Sequence, residues 1–168
     1  MPRPTVAELI RFLNLQSHPE GGYYAETYRA AGSIPRGVLL GGFHGDRNHS
    51  TGIYYLLPAG AKSRLHRLVP DEMMHFYLGD PLTLVIIDPQ GRVEETVLGS
   101  DLSRGHQLQK VIPGGSWFGL YPNPGTEYGL LGCTVAPGFD FADFEVGERQ
   151  ALLQAFPKAQ EIILKLTD

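Results

Sequence analysis

From Tyr23 to Ala136 the chain is a run of short apolar segments separated by turn residues, and that rhythm constrains its fold most. Val38 to Phe43, Thr51 to Leu57, Ser63 to Leu68, Met73 to Leu78 and Leu82 to Ile87 each read as a strand. Arg92 to Leu98, Gln107 to Ile112, Ser116 to Tyr121 and Tyr128 to Ala136 continue the series. Asp88-Pro-Gln-Gly91 places proline and glycine where a tight turn needs them. Strands at this spacing predict an all-β sandwich or barrel. The 21 glycines and 13 prolines of the 168 residues fit many short connections.

The ends are helical. Thr5 and Glu8 form a capping box, and Val6, Leu9, Ile10 and Leu13 follow at helical spacing to about Asn14. His18-Pro-Glu-Gly-Gly22 breaks that helix, and Tyr23 to Arg29 then alternates, with Tyr24, Glu26 and Tyr28 on one face. Glu148 to Phe156 and Lys158 to Leu166 have helical period on either side of Pro157, and are expected to cap the barrel or pack outside it. The length and the absence of linkers predict one domain over residues 1–168.

A net charge of −4 without a basic run argues against nucleic acid as a partner. The single cysteine, Cys133, has no internal disulfide partner, which suits a reducing compartment. Met1-Pro-Arg-Pro4 is not followed by a leader-like apolar stretch, and the apolar runs are strand-sized. A soluble cytoplasmic protein, with no membrane partner, is the expectation.

The chemistry-bearing signal is Gly60-Ala-Lys-Ser-Arg-Leu-His66, followed by Glu72 and Gly79. An imidazole at His66 can bind a metal, act as a base near neutral pH, or satisfy a core hydrogen bond. Glu72 is either a buried working carboxylate or a solvated turn residue beside Asp71. His75 has opposite strand parity to Glu72, so Met74 and Phe76 are the inward neighbours and His75 is expected to be a structural or interface histidine. Trp117, next to Phe118, should point outward, where a subunit interface is one expected environment. Asp140 or Asp143 could orient His66, but capping a turn is favoured for both. Cys133 is expected to be buried and inert.

Several stretches together resemble the cupin-5 family, DUF985, from about residue 7 to residue 157. They are His18-Pro-Glu-Gly-Gly-Tyr-Tyr24, Glu26-Thr-Tyr-Arg29, Ser50 to Leu57, His66 to Gly79, Val111 to Phe118 and Cys133 to Phe141. Gly60 to Gly79 resembles the first cupin motif, and Pro113-Gly-Gly115 the core of the second. The resemblance implies a double-stranded β-helix, the jelly-roll barrel, usually as a homodimer. It also implies a shape similar to the metal-free sugar-nucleotide epimerases of the RmlC type. In those, a barrel histidine takes a proton beside a carbonyl, a carboxylate orients it, and a tyrosine returns a proton. His66 falls at the corresponding position.

The cupin pattern also calls for two further histidines, and this chain has Leu68 and Phe118 there. His66 and Glu72 alone hold a transition metal poorly, since catalytic sites usually supply three protein ligands. Gln109, His49 and His75 are the candidates to complete a set. The preferred expectation is a metal-free, cofactor-free site with His66 and Glu72 as catalytic residues. Leu68, Phe76, Gln109, Phe118, Tyr24 and Tyr55 are expected to line the pocket. The expected activity is an isomerase or epimerase of a sugar or nucleotide-sugar carbonyl compound, with His66 as general base. The alternatives are a non-catalytic binding barrel and, behind it, a metal-dependent oxygenase or hydrolase. A strand edge near Tyr23 to Arg29 would suit a homodimer.

Overall fold

The computed structural model describes residues 3–168; Met1 and Pro2, which head the segment read above for a leader, lie outside it. The chain begins with α1 (Val6–Phe12), whose Thr5–Glu8 capping box is formed on both sides. Next come β1 (Gln16–Ser17), β2 (Tyr23–Arg29), β3 (Ser33–Ile34), β4 (Arg47–Asn48), β5 (Thr51–Pro58), β6 (Ser63–Leu68) and β7 (Asp71–Gly79). They are followed by β8 (Leu82–Ile87), β9 (Val93–Leu98), β10 (Gln109–Ile112), β11 (Trp117–Pro122), β12 (Tyr128–Ala136) and β13 (Phe144–Val146). Two helices, α2 (Arg149–Ala155) and α3 (Gln160–Leu166), close the chain.

The strands form two antiparallel sheets, in the orders β1-β2-β5-β12-β7-β10 and β13-β6-β11-β8-β9, plus the small β3-β4 pair. The sheets face each other as a jelly roll. One end of the space between them is plugged by Leu57, Phe76, Leu82, Leu84, Leu98 and Leu120. The other end is open and holds a cavity.

Alternation fixes which side chains turn inward. Glu72, Met74 and Phe76 are buried, whereas His75 and Tyr77 face outward. The outer faces are covered unequally. Leu152, Ala159, Ile163 and Leu166 from the C-terminal helices bury Leu65, Val85, Ile87 and Trp117. On the other sheet, Leu9 and Leu15 pack on Leu56, Tyr128 and Leu130. Trp117 thus points away from the barrel interior as its parity demands, but the chain's own helices cover it. The expected subunit contact is not its environment.

The strand expected at Val38 to Phe43 is absent. A 3-10 turn runs over Arg36–Val38, and the following residues are irregular. Gly37, Gly41 and Gly42 weaken extended pairing, and Leu40 is 91 % exposed rather than part of a core. This excursion is anchored by a buried ion pair, with Arg47 Nε and Nη2 donating to Asp143 at 2.5 and 2.6 Å.

Strand β2 carries a bulge between Glu26 and Tyr28, so Thr27 and Tyr28 together oppose Gly52. Arg29 then pairs with Thr51 and shares the inner face with Glu26, while Tyr28 is turned out to 57 % exposure. The expected face of Tyr24, Glu26 and Tyr28 therefore ends at Glu26. β1 pairs only with Tyr23 and Tyr24, which leaves Ala25 to Arg29 as an open edge among the described residues.

If the C-terminal helices complete the barrel wall, Ile163→Ala should destabilise the protein by about 2–5 kcal/mol, the range for emptying a core aliphatic site. Ile163 is fully buried, and urea unfolding measures the loss; a change within experimental scatter would show that the helices are accessory.

Candidate functional site

The open end of the barrel contains a cavity of about 420 Å³. This is a size that suits a small ligand. Its floor is formed by His66 and Leu68 of β6, Glu72 of β7, and Cys133 and Val135 of β12. Tyr24, Glu26 and Arg29 of β2 and Thr51, Ile53 and Tyr55 of β5 form a wall, with His18 and Glu20 of the preceding turn. Phe139, Asp140, Phe141 and Phe144 close the opposite side.

The turn at His18 to Gly22 is what delivers Glu20. Gly21 has φ +115°, and a Cβ there would lie 2.1 Å from the Lys62 carbonyl oxygen, so glycine alone permits this approach. The Arg64 N–H donates to the Glu20 carbonyl at 2.8 Å, and the Tyr55 hydroxyl donates to the Gly21 carbonyl at 2.7 Å. So held, the Glu20 carboxylate receives the Ser63 hydroxyl at 2.8 Å and lies 2.9 Å from His66 Nε2.

His66 Nδ1 is 2.7 Å from the Arg64 carbonyl oxygen, which can only accept. Nδ1 therefore carries a proton, and Nε2 faces a carboxylate. Burial by itself would lower the His66 pKa, but the Glu20 charge and hydrogen bond outweigh it and raise the pKa. Burial would likewise raise the Glu20 pKa, yet the His66 charge, with hydrogen bonds from His66 and Ser63, holds it below the ordinary range. The pair is an imidazolium–carboxylate ion pair with both imidazole nitrogens committed. His18 differs: burial lowers its pKa, and its Nδ1 accepts the Glu20 N–H at 3.3 Å, so it is neutral.

Glu72 is buried beside this pair without a cation of its own. Burial pushes its carboxyl up to about 7, reinforced by the Glu20 charge and opposed by His66 and by a hydrogen bond from the Cys133 thiol. Burial, followed by the charge of Glu72, pushes the thiol pKa up as well, so Cys133 stays protonated.

Of the residues expected at the site, His66, Glu72, Leu68, Tyr24 and Tyr55 meet at the cavity. Phe118 lies behind it, its ring centroid 4.0 Å from that of His66. Phe76 is in the packed half of the core. Gln109 is not in this cavity: it is exposed on the outer face, 3.2 Å from His75 Nδ1, because it pairs with His75 across β7 and β10 and shares its outward parity. The orienting carboxylate sought in Asp140 or Asp143 is Glu20. Asp143 is taken up by Arg47, while Asp140 accepts the Ala142 N–H at 2.8 Å as a cap. Glu20 was missed because it sits in a Gly/Pro turn with no strand periodicity. A carboxylate locked between His18 and two glycines was the available signal.

The donor set does not fit a cupin metal. His66 has no free nitrogen, and the other two positions are Leu68 and Phe118. His49 is exposed and His75 faces outward, 3.0 Å from the Thr134 hydroxyl. Among the described residues, no three His, Cys, Asp or Glu side chains are grouped to hold an ion.

The pH dependence of stability follows. The Glu72 carboxyl titrates near 7 when folded and near 4.5 when unfolded. The folded state therefore binds the extra proton, and stability falls as pH rises between those values. Glu72→Gln should be more stable than the parent above pH 7, by on the order of 3 kcal/mol at 1.36 kcal/mol per pKa unit. The advantage should disappear below the unfolded carboxyl's range. Thermal melts across pH measure it, and a variant less stable at high pH would contradict a desolvated Glu72.

Comparison with known proteins agrees with this architecture. The sequence matches Cupin_5, described as "Cupin superfamily (DUF985)", over residues 7–147. It is 32 % identical over 154 residues to the uncharacterized protein YML079W of Saccharomyces cerevisiae, covering 85 % of this chain and 76 % of that protein. The crystal structure of protein SO0799 from Shewanella oneidensis superposes with a TM-score of 0.89 at 36 % identity, over 99 % of both chains. A hypothetical protein from Leishmania major gives 0.87 at 33 %, over 98 % of this chain and 99 % of that one. Oxalate decarboxylase from Bacillus subtilis shares the fold at 16 % identity and a TM-score of 0.53, over 89 % of this chain and 36 % of that one. Family match and structure together make this chain a member of the Cupin_5 (DUF985) family of the cupin superfamily.

Proposed function

We propose that the cavity is an acid–base site that isomerises or epimerises a small carbonyl compound of the sugar type, without a metal. One observation carries the reading: a buried carboxyl held at about 7 lines a ligand-sized cavity beside a fixed positive charge. A proton carrier works best when its pKa lies near the operating pH. Glu72 meets that condition. His66, expected from the sequence to be the base, has both nitrogens engaged. Its role in the proposal is a buried positive charge that steadies negative charge on the substrate.

In the proposed step, ionised Glu72 takes the proton from the carbon next to the carbonyl. The C–H electron pair forms a carbon–carbon double bond as the carbonyl π pair moves onto the oxygen, giving an enediolate. Glu72 then returns the proton to the neighbouring carbon as the adjacent hydroxyl proton passes to the former carbonyl oxygen, which completes an isomerisation. Return to the opposite face of the same carbon requires a second acid, and the Tyr24 hydroxyl is on the lining for that role. The aromatic wall of His18, Tyr24, Phe141 and Phe144 limits water around the reacting carbon. A second copy pairing along the open edge of β2 completes the proposal, and a monomeric mass in light scattering would end that part.

The test is exchange of substrate C–H for deuterium in heavy water, followed by NMR over a panel of aldoses and ketoses. Glu72→Gln should slow exchange by about 10²–10⁴-fold, the usual contribution of a general base. Compounds that bind in the cavity yet show no exchange with the parent protein would make it a non-catalytic binding barrel.

A further inference from the structure

The cavity mouth contains one arginine, and its state restricts what can enter. Arg29 Nε and Nη2 donate to the two Glu26 carboxylate oxygens at 2.9 and 2.7 Å. Nη1 donates to Asn48 Oδ1 at 2.8 Å, and Nη1 and Nη2 each donate to the Phe139 carbonyl at 3.2 Å. A guanidinium has five N–H groups, and these bonds engage every one. The other cation on the lining, His66, is likewise spent on Glu20 and the Arg64 carbonyl. Glu20, Glu26, Glu72 and Asp140 line the same cavity. Among the described residues of the lining, an entering phosphate would find no free donor cation and would face carboxylates.

We infer that Glu26 is a specificity-determining residue: as a built-in anion on Arg29 it closes the cavity to phosphate-bearing ligands and reserves it for uncharged ones. The inference rests on the cavity being the ligand site and narrows the substrate class of the proposed reaction from sugars and nucleotide sugars to unphosphorylated compounds. A sugar without phosphate satisfies the same lining through its hydroxyls, with its C–H faces against Phe139, Phe141 and Tyr24. The bulge in β2 is essential to the device, because it brings residues 26 and 29 onto one face where they can pair.

Removing the internal anion should convert the mouth into an anion site. The probe is inorganic phosphate, titrated into isotope-labelled protein and followed by the amide resonances of residues around the cavity. The parent protein should show no saturable shift there. Glu26→Gln should bind phosphate at least about tenfold more tightly, the scale of one charge-assisted hydrogen bond. Glu26→Gln combined with Arg29→Gln should lose that gain. Both side chains are partly exposed at the mouth, and an unchanged spectrum elsewhere confirms folding. Saturable phosphate binding at the cavity of the parent protein overturns the inference, as does failure of Glu26→Gln to acquire it. Neither readout depends on turnover, so failure of the acid–base proposal would appear separately, in the exchange experiment.

Discussion

A protonated imidazole buried between two acceptors organises the open end of this barrel. His66 gives one N–H to the backbone of its own strand and the other to a carboxylate from a distant turn. Burying either charge alone would be strongly unfavourable, whereas the pair, with the Ser63 hydroxyl on the remaining oxygen, is satisfied. The pair therefore ties the turn before β2 to β6 on the facing sheet, and the cavity forms in the gap between them.

Glu72 is the counterpart to that satisfied pair. It has the same burial and no cation partner, and only a thiol proton to accept. Its charged form is unfavourable in the folded state, so the fold is less stable at neutral pH than it would be with an amide there. A group that weakens the fold while lining a cavity fits the general pattern in which active sites depart from the stability optimum. The two carboxyls illustrate how environment alone separates like groups: Glu20 is held ionised and Glu72 is poised to gain or lose a proton.

Much of the architecture was legible from local pattern. The strands at Ser63–Leu68, Leu82–Ile87 and Tyr128–Ala136 have the expected ends, because alternation and turn residues bound them on both sides. The inward parity of Glu72 and Met74 was readable for the same reason. Val38 to Phe43 misled because apolar content without a pairing partner does not make a strand, and glycines interrupt it. Gln109 and Trp117 show what periodicity omits. It assigns a side chain to a face but says nothing about what covers that face, or whether an edge strand keeps the phase of its neighbour. Glu20 was harder to read for another reason: its role comes from a contact between segments far apart in sequence, and only its place between His18 and two glycines marked it.

The bulge in β2 has an evolutionary consequence. Because two residues there oppose one on the partner strand, Glu26 and Arg29 reach the same face although they are three positions apart. Loss of a single residue at Thr27–Tyr28 would restore regular pairing and leave Arg29 opposite Thr51, two positions from Glu26 and still on its face. The pair at the mouth therefore tolerates a one-codon deletion within the bulge, and relatives with one residue fewer there could keep the same ligand class.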